Sequence, residues 1–211
     1  MIRWIIFDVM GVIFREGDDV NNLLIPYVKG INPNFRPNKI REIYVRASAG
    51  EISSKEFWDQ IGFGTQYPAI EREFLNHWFT LDPDFKSIAS RLKEKYRLGI
   101  LSNDLGAWSS FLREKYALNS LFDAVVISGD VGCRKPDRRI FEILLQKVGD
   151  SAQNCAFIDD KRINLATAFE LGFTTIQFVR GAPSVNDEKF PLPQHKIHSF
   201  AELPTLMDLI K

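Results

Sequence analysis

Short apolar runs recur along the chain at residues 2–9, 98–102, 124–128, 155–159 and 174–179, each ending on or beside a polar residue. They are rich in β-branched and aromatic side chains without a polar alternate face, which is the pattern of strands buried on both sides. Between the later runs the apolar spacing becomes helical, over 105–116, 138–148 and 162–171, and turns containing Gly149 and Gly172 close the last two. Strand and helix alternating in this way predict a doubly wound α/β fold around a parallel sheet.

The stretch from 15 to 82 follows a different rule. It carries helical periodicity throughout and no strand pattern, and Pro37, Pro68 and Pro83 with Gly50, Gly62 and Gly64 divide it into about four helices. Ser53-Ser54-Lys55-Glu56 has the spacing of a capping box. The expected organisation is therefore a core of residues 1–14 and 83–211 with a helical lobe of residues 15–82 inserted into it. Residues 181–198, with three prolines and little periodicity, read as a surface loop, and a short helix is expected over 204–210.

Composition narrows the function classes. Lys+Arg and Asp+Glu balance at 27 each among 211 residues, so no global charge draws the chain to nucleic acid or to an anionic membrane, and a small soluble ligand is expected. The apolar runs fall far short of the roughly 20 residues that cross a bilayer. The opening run is broken by Asp8 and lacks a small-residue cleavage site, so it does not read as a secretory signal, and the expected location is cytoplasmic. Cys133 and Cys155 make neither a disulfide framework nor a zinc site and read as reduced structural thiols. His77 lies in an amphipathic stretch, and His195 and His198 lie in a polar C-terminal segment.

In an open parallel sheet, ligands bind beyond the carboxyl ends of the strands. Those ends carry Asp8 after the first run, Ser102-Asn103-Asp104 after the second, Arg134-Lys135-Pro136-Asp137 after the third and Asp159-Asp160 after the fourth. Four polar clusters at four successive strand ends exceed what turn preference alone requires. Their types suit one reaction. Carboxylates held together by the sheet can share a hard cation such as Mg²⁺, and Asp8 can attack phosphorus. The Ser102 hydroxyl can hold a phosphate oxygen, and the Lys135 ammonium can neutralise the nucleophile and the transferring group.

These residues stand in motifs that resemble the haloacid dehalogenase superfamily. Phe7-Asp8-Val9-Met10-Gly11-Val12 is similar to its first motif, Asp-x-Asp-Gly-Thr/Val. Ile100-Leu101-Ser102-Asn103 resembles the second, Gly132-Cys133-Arg134-Lys135-Pro136-Asp137 the third, and Phe157-Ile158-Asp159-Asp160-Lys161-Arg162-Ile163-Asn164 the fourth. The insertion after the first motif resembles the subgroup with a helical cap, which includes sugar-phosphate phosphatases. The resemblance implies a Rossmann-like core, Mg²⁺ as cofactor and a small phosphorylated metabolite hydrolysed through an aspartyl-phosphate. It implies Asp8 as nucleophile and metal ligand, the Met10 backbone carbonyl as a second ligand, and Asp160 as the fourth-motif ligand, the last by counting back from Gly172. Ser102, Asn103 and Lys135 would bind the phosphate, while Asp159 and Asn164 would orient the shell, with Asn164 one turn beyond Asp160 and a direct metal contact of Asp159 left open.

Met10 departs from the pattern. Phosphatases of the superfamily carry there the aspartate that protonates the leaving oxygen and later activates water, and a thioether does neither. Asp104, His77 and residues of the inserted lobe are the available substitutes, and no spacing favours any of them. Two alternatives stay open beside a slow phosphatase: dehalogenase-like attack of Asp8 on carbon, and a binding module without catalysis. The aromatic residues Phe57, Trp58, Phe63, Trp78 and Phe79 read as the packing of the lobe rather than as a binding box.

Overall fold

A computed structural model describes residues 1–180 and 189–210. Six parallel strands form one sheet in the order β3-β2-β1-β4-β5-β6. They are β1 (Trp4–Phe7), β2 (Arg97–Ser102), β3 (Ala124–Ile127), β4 (Cys155–Asp159), β5 (Thr174–Phe178) and β6 (His195–Ile197). The order reverses at β1, which pairs with β2 on one side and β4 on the other, so Phe7 lies between Ile100 and Ile158. A crevice opens beyond the carboxyl end of such a reversal, and it is there that ligands bind in this architecture.

Both faces of the sheet are covered, as the unalternated runs require. Ile5 and Phe7 point to one face, where Phe85, Phe122 and Phe200 pack, and Trp4 and Ile6 point to the other, against Phe141 and Phe157. Eight of the ten α-helices among the described residues carry this covering or the insertion: α1 (Ile25–Ile31), α2 (Pro37–Ser48), α3 (Ser54–Gln60), α4 (Ala69–His77), α5 (Phe85–Lys93), α6 (Gly106–Lys115), α8 (Arg138–Val148) and α9 (Arg162–Glu170). The other two are the single turn α7 (Ser128–Val131) and the terminal α10 (Leu203–Leu209).

The inserted segment contains α1 to α4 and a π-helical turn at Val20–Leu24, with no sheet strand among its described residues. In α2, Ile40, Ile43, Tyr44 and Ala47 are buried at the i, i+3, i+4, i+7 spacing of one helix face. The capping box at Ser53 and Glu56 forms reciprocally and starts α3. Phe57, Trp58, Phe63 and Phe79 are buried in the core and Trp78 packs against it, as the aromatic periodicity implied. Buried Glu71 accepts from the indole N–H of Trp58 at 2.8 Å and from that of Trp108, on α6, at 2.7 Å, and Ser54 donates to the same carboxylate. The lobe is thereby joined to the sheet layer, and one apolar cluster runs through both.

The structure corrects the reading of 181–198 in part. His195–Ile197 is a strand, parallel to β5, and Gln194 contributes too: its side-chain oxygen accepts from the Thr175 N–H at 2.8 Å. His195-Lys196-Ile197 holds one apolar residue in three, too little to signal a strand. Residues 181–188 lie outside the described residues. α5 was unmarked in the sequence reading, and the thiols of Cys133 and Cys155 are free and buried. No helix among the described residues is long and apolar enough to cross a membrane.

Candidate active site

Asp8 follows β1 directly, and its backbone N–H donates to the Ile158 carbonyl at 2.8 Å, which fixes the residue above the centre of the sheet. Lys135 reaches it from the loop after α7. Its Nζ lies 2.8 Å from Asp8 Oδ1 and 2.7 Å from Asp159 Oδ2, with the side chain 1% exposed. Asn103, after β2, holds the backbone of that lysine on both sides: its Oδ1 accepts the Lys135 N–H and its Nδ2 donates to the Lys135 carbonyl, each at 2.8 Å. The predicted phosphate-binding Asn103 is thus occupied chiefly in presenting Lys135.

The two adjacent carboxylates after β4 have opposite surroundings. Asp159 is fully buried and saturated, accepting from Lys135, from the Lys161 N–H at 2.8 Å and from Asn164 Nδ2 at 3.0 and 3.1 Å. Asn164, one turn beyond Asp160, donates to Asp159 rather than to Asp160. Asp160 instead has a buried oxygen, Oδ1, without a hydrogen-bond partner. Its Oδ2 occupies a niche left by two glycines. A Cβ on Gly11 would lie 2.6 Å from that oxygen and one on Gly17 2.5 Å from it, and Gly11 also has φ +80°.

Oxygens of Asp8, Asp159 and Asp160 lie within 4.8 Å of one another. Burial and the proximity of Asp159 raise the Asp8 pKa, against the opposing pull of Lys135. Burial, then Asp159, holds Asp160 well above the usual carboxylate range. Burial works against the Lys135 ammonium, but Asp159 and Asp8 outweigh it and raise its pKa. An excess of buried carboxylate beside one lysine, with an orphaned oxygen, is a donor set that fits a hard divalent cation.

Asp8, Asn103, Lys135 and Asn164 form the floor of a cavity of about 240 Å³, while Asp159 and Asp160 are not part of its lining. Ser102 lines it, 1% exposed, and its Oγ has no hydrogen-bond partner. The opposite wall comes from the insertion: Asp19, Asn21, Arg41 and Tyr44, with Met10 between floor and wall. Arg134 stacks over the Tyr44 ring at 5.9 Å, and its guanidinium also donates to Ser48 Oγ. Asp19 Oδ2 accepts from the Tyr44 hydroxyl at 3.3 Å, and burial pushes the Asp19 carboxyl up to about 6. Lys161 is held protonated despite desolvation, principally by Asp160, Asp8 and Asp159 and also by Asp19.

Of the substitutes open for the missing acid, His77 is exposed, with Nδ1 2.9 Å from the Glu73 carbonyl oxygen, and does not line the cavity. Asp104 is fully buried beneath the rim, where Oδ1 accepts from the Leu105 N–H, and it too is absent from the cavity wall. Asp8, Ser102, Asn103, Lys135, Asp159, Asp160 and Asn164 do converge. Asp19, Tyr44 and Arg41 escaped the sequence reading because they lie in the lobe, where no strand end marks a rim.

A family model described as haloacid dehalogenase-like hydrolase matches residues 2–172. The chain is 27% identical over 196 residues to a D-ribitol-5-phosphate phosphatase of Bacteroides thetaiotaomicron, an alignment covering 86% of this chain and 94% of that one. Another curated relative is longer, and the chain spans 55% of its length. Among solved structures, the L-2-haloacid dehalogenase of Xanthobacter autotrophicus matches with TM-score 0.71 at 17% identity over 99% of both chains. An alanine variant of a haloacid dehalogenase family enzyme from Bacteroides thetaiotaomicron, solved with magnesium and inorganic phosphate, matches with TM-score 0.72 at 21% identity over 88% of this chain and 98% of that one.

Proposed function

The chain belongs to the haloacid dehalogenase-like hydrolases, and from that membership we propose that it is a Mg²⁺-dependent phosphatase of a small phosphorylated metabolite. The observation that carries this reading is that, of the three buried side-chain oxygens without a hydrogen-bond partner among the described residues, two belong to Asp160 and Ser102, at the strand ends beside Asp8, while the third, Asp104 Oδ2, lies off the cavity lining. A dehalogenase acting on carbon needs neither a cation at Asp160 nor a donor for a phosphate oxygen at Ser102. The name of the ribitol-phosphate relative supports the same substrate class.

In this reading Asp8, Asp160 and the Met10 backbone carbonyl would hold Mg²⁺, which would offset carboxylate repulsion and phosphate charge. Asp8 attacks phosphorus and becomes phosphorylated, the leaving oxygen departs, and water then releases orthophosphate. Lys135 keeps Asp8 ionised and oriented, and faces the charge of the transferring group. Ser102 donates its free hydroxyl to a phosphate oxygen. Asp159 and Asn164 position Lys135 and the start of α9. Residues 15–82 act as a cap domain on a core of 1–14 and 83–211, closing the cavity against water.

Phosphate release from p-nitrophenyl phosphate tests the reading. It is expected to require Mg²⁺ and to be abolished in Asp8→Asn, which removes the nucleophilic charge at nearly constant volume. Metal-independent halide release from 2-haloacids, with no phosphate release, would overturn it.

A further inference from the structure

Resting on the phosphatase reading, we propose that Asp19 is the acid–base group of this site, supplied by the inserted lobe in place of a side chain that Met10 cannot provide. Asp19 lines the same cavity as Asp8, Ser102 and Lys135, with Met10 also on that lining. It is 8% exposed. Its position at the start of the turn Val20–Leu24 offers the ordinary explanation for an aspartate, a helix cap, yet its side chain makes no capping hydrogen bond. The carboxylate is instead turned to the Tyr44 hydroxyl of α2. An acid buried on a cavity wall without the role that would justify its burial is a candidate for chemistry.

The groups around Asp19 tune it consistently with that use. Burial lifts its pKa to about 6, while Lys161 at the start of α9 and the Tyr44 hydroxyl oppose the rise and Asp18, its neighbour, adds to it. Asp104, at the end of β2, feels the Asp19 charge from below, and Arg41 of α2 and Arg134 stand on the same cavity wall. A carboxyl that titrates near neutrality offers both protonation states to a reaction. Tyr44 is held protonated well above its ordinary range, chiefly by burial, so it remains a donor.

The step balances without another reactant. As Asp8 Oδ bonds to phosphorus, the bond from phosphorus to the ester oxygen breaks, and that oxygen takes the proton of the Asp19 carboxyl and leaves as alcohol. Asp19, now a carboxylate, accepts a proton from water as the water oxygen attacks phosphorus. The bond from phosphorus to Asp8 breaks, orthophosphate departs and both carboxyl groups return to their starting states.

Aryl phosphates of graded leaving-group basicity, from p-nitrophenyl to phenyl phosphate, test this with the full chain and Mg²⁺. Asp19→Asn is expected to lose about 10²-fold on phenyl phosphate. On p-nitrophenyl phosphate it is expected to give a burst of one equivalent of p-nitrophenolate followed by slow turnover, because the first step needs little acid and the second still needs the base. The descending limb of kcat/KM near pH 6 should vanish. Tyr44→Phe, which removes a donor to the carboxylate, should move that limb to higher pH, and this decides the matter if Asp19→Asn does not fold. Unchanged turnover and leaving-group dependence in folded Asp19→Asn, or an unmoved limb in Tyr44→Phe, overturn the role of Asp19 while leaving the phosphatase reading intact. No phosphate release by the unaltered protein from any aryl phosphate overturns both.

Discussion

The floor of the cavity and its wall are built on opposite principles. On the floor, most polar side chains satisfy one another: Lys135 bridges Asp8 and Asp159, Asn103 grips Lys135, and Asn164 and the Lys161 N–H complete Asp159, while the oxygens of Asp160 and Ser102 left without a partner stand ready for a ligand. On the wall, Asp19 is buried beside a long hydrogen bond from Tyr44, and burial pushes its carboxyl up to about 6. A saturated network fixes geometry and resists change of charge, whereas an undercompensated carboxyl changes charge readily. The difference teaches where each kind of work belongs. Binding and orientation sit on the rigid sheet, and proton traffic sits on the lobe.

Changes on the floor should therefore do the most damage. Lys135→Ala removes the cation that bridges two buried carboxylates and is expected to cost about 3–5 kcal/mol of stability, because breaking one side of a buried ion network leaves uncompensated charge. Phosphate turnover should fall to background at temperatures where the variant is still folded, as read by thermal unfolding beside the phosphatase assay. A Lys135→Ala protein that is both stable and active would mean that the floor is not the fixed half of the site.

Met10→Asp moves proton traffic from wall to floor and so sharpens the contrast. In the Asp19→Asn background it is expected to restore up to about 10²-fold in turnover of phenyl phosphate, and in the unaltered background to add far less, since the acid is already present. Equal gains in both backgrounds, measured as kcat ratios, would show that Asp19 and position 10 do not share a task.

The smallest effect concerns stability and has a definite sign. The Asp19 pKa is about 6 in the folded protein against 3.8 ordinarily, so folding favours its protonated form. Stability is lost as pH rises from about 4 through 6, and the full penalty is present at neutral pH. Asp19→Asn should then be more stable than the unaltered protein at pH 7 by on the order of 1–3 kcal/mol, with the advantage vanishing below about pH 4. Denaturant midpoints at the two pH values check this, and an Asn variant that is less stable at both would show Asp19 to be structural.

The same division governs what could be read from the chain. The sheet and the floor were legible because a buried strand is a continuous apolar run and its end is marked by the first polar residue, so Asp8, Ser102, Lys135 and Asp159-Asp160 announce themselves. The distance from Gly172 singled out Asp160 of the two adjacent carboxylates, and it is Asp160 that keeps an oxygen without a hydrogen-bond partner. The reason, saturation of Asp159 by residues from the third-motif loop and α9, was not legible. That Asn164 donates to Asp159 was not legible either, because helical spacing ignores the turn that precedes the helix. Asp19 left no local signal at all: an acidic pair before a helix reads as a cap, and its burial depends on Tyr44, 25 residues away. The strand at His195–Ile197 was missed for the complementary reason, since a three-residue edge strand is defined by its neighbour rather than by its own pattern.

Buried Glu71 bears on how such a site can diversify. It receives the indole N–H of Trp58 from within the lobe and that of Trp108 from α6 beneath it. Exchanging the whole insertion for a foreign one would strand the Trp108 donor and open the shared apolar cluster, so the lobe cannot serve as an interchangeable cassette. New specificity in this lineage is instead accessible through single replacements at wall positions such as Asn21 and Arg41, which face the cavity but stand apart from that anchor.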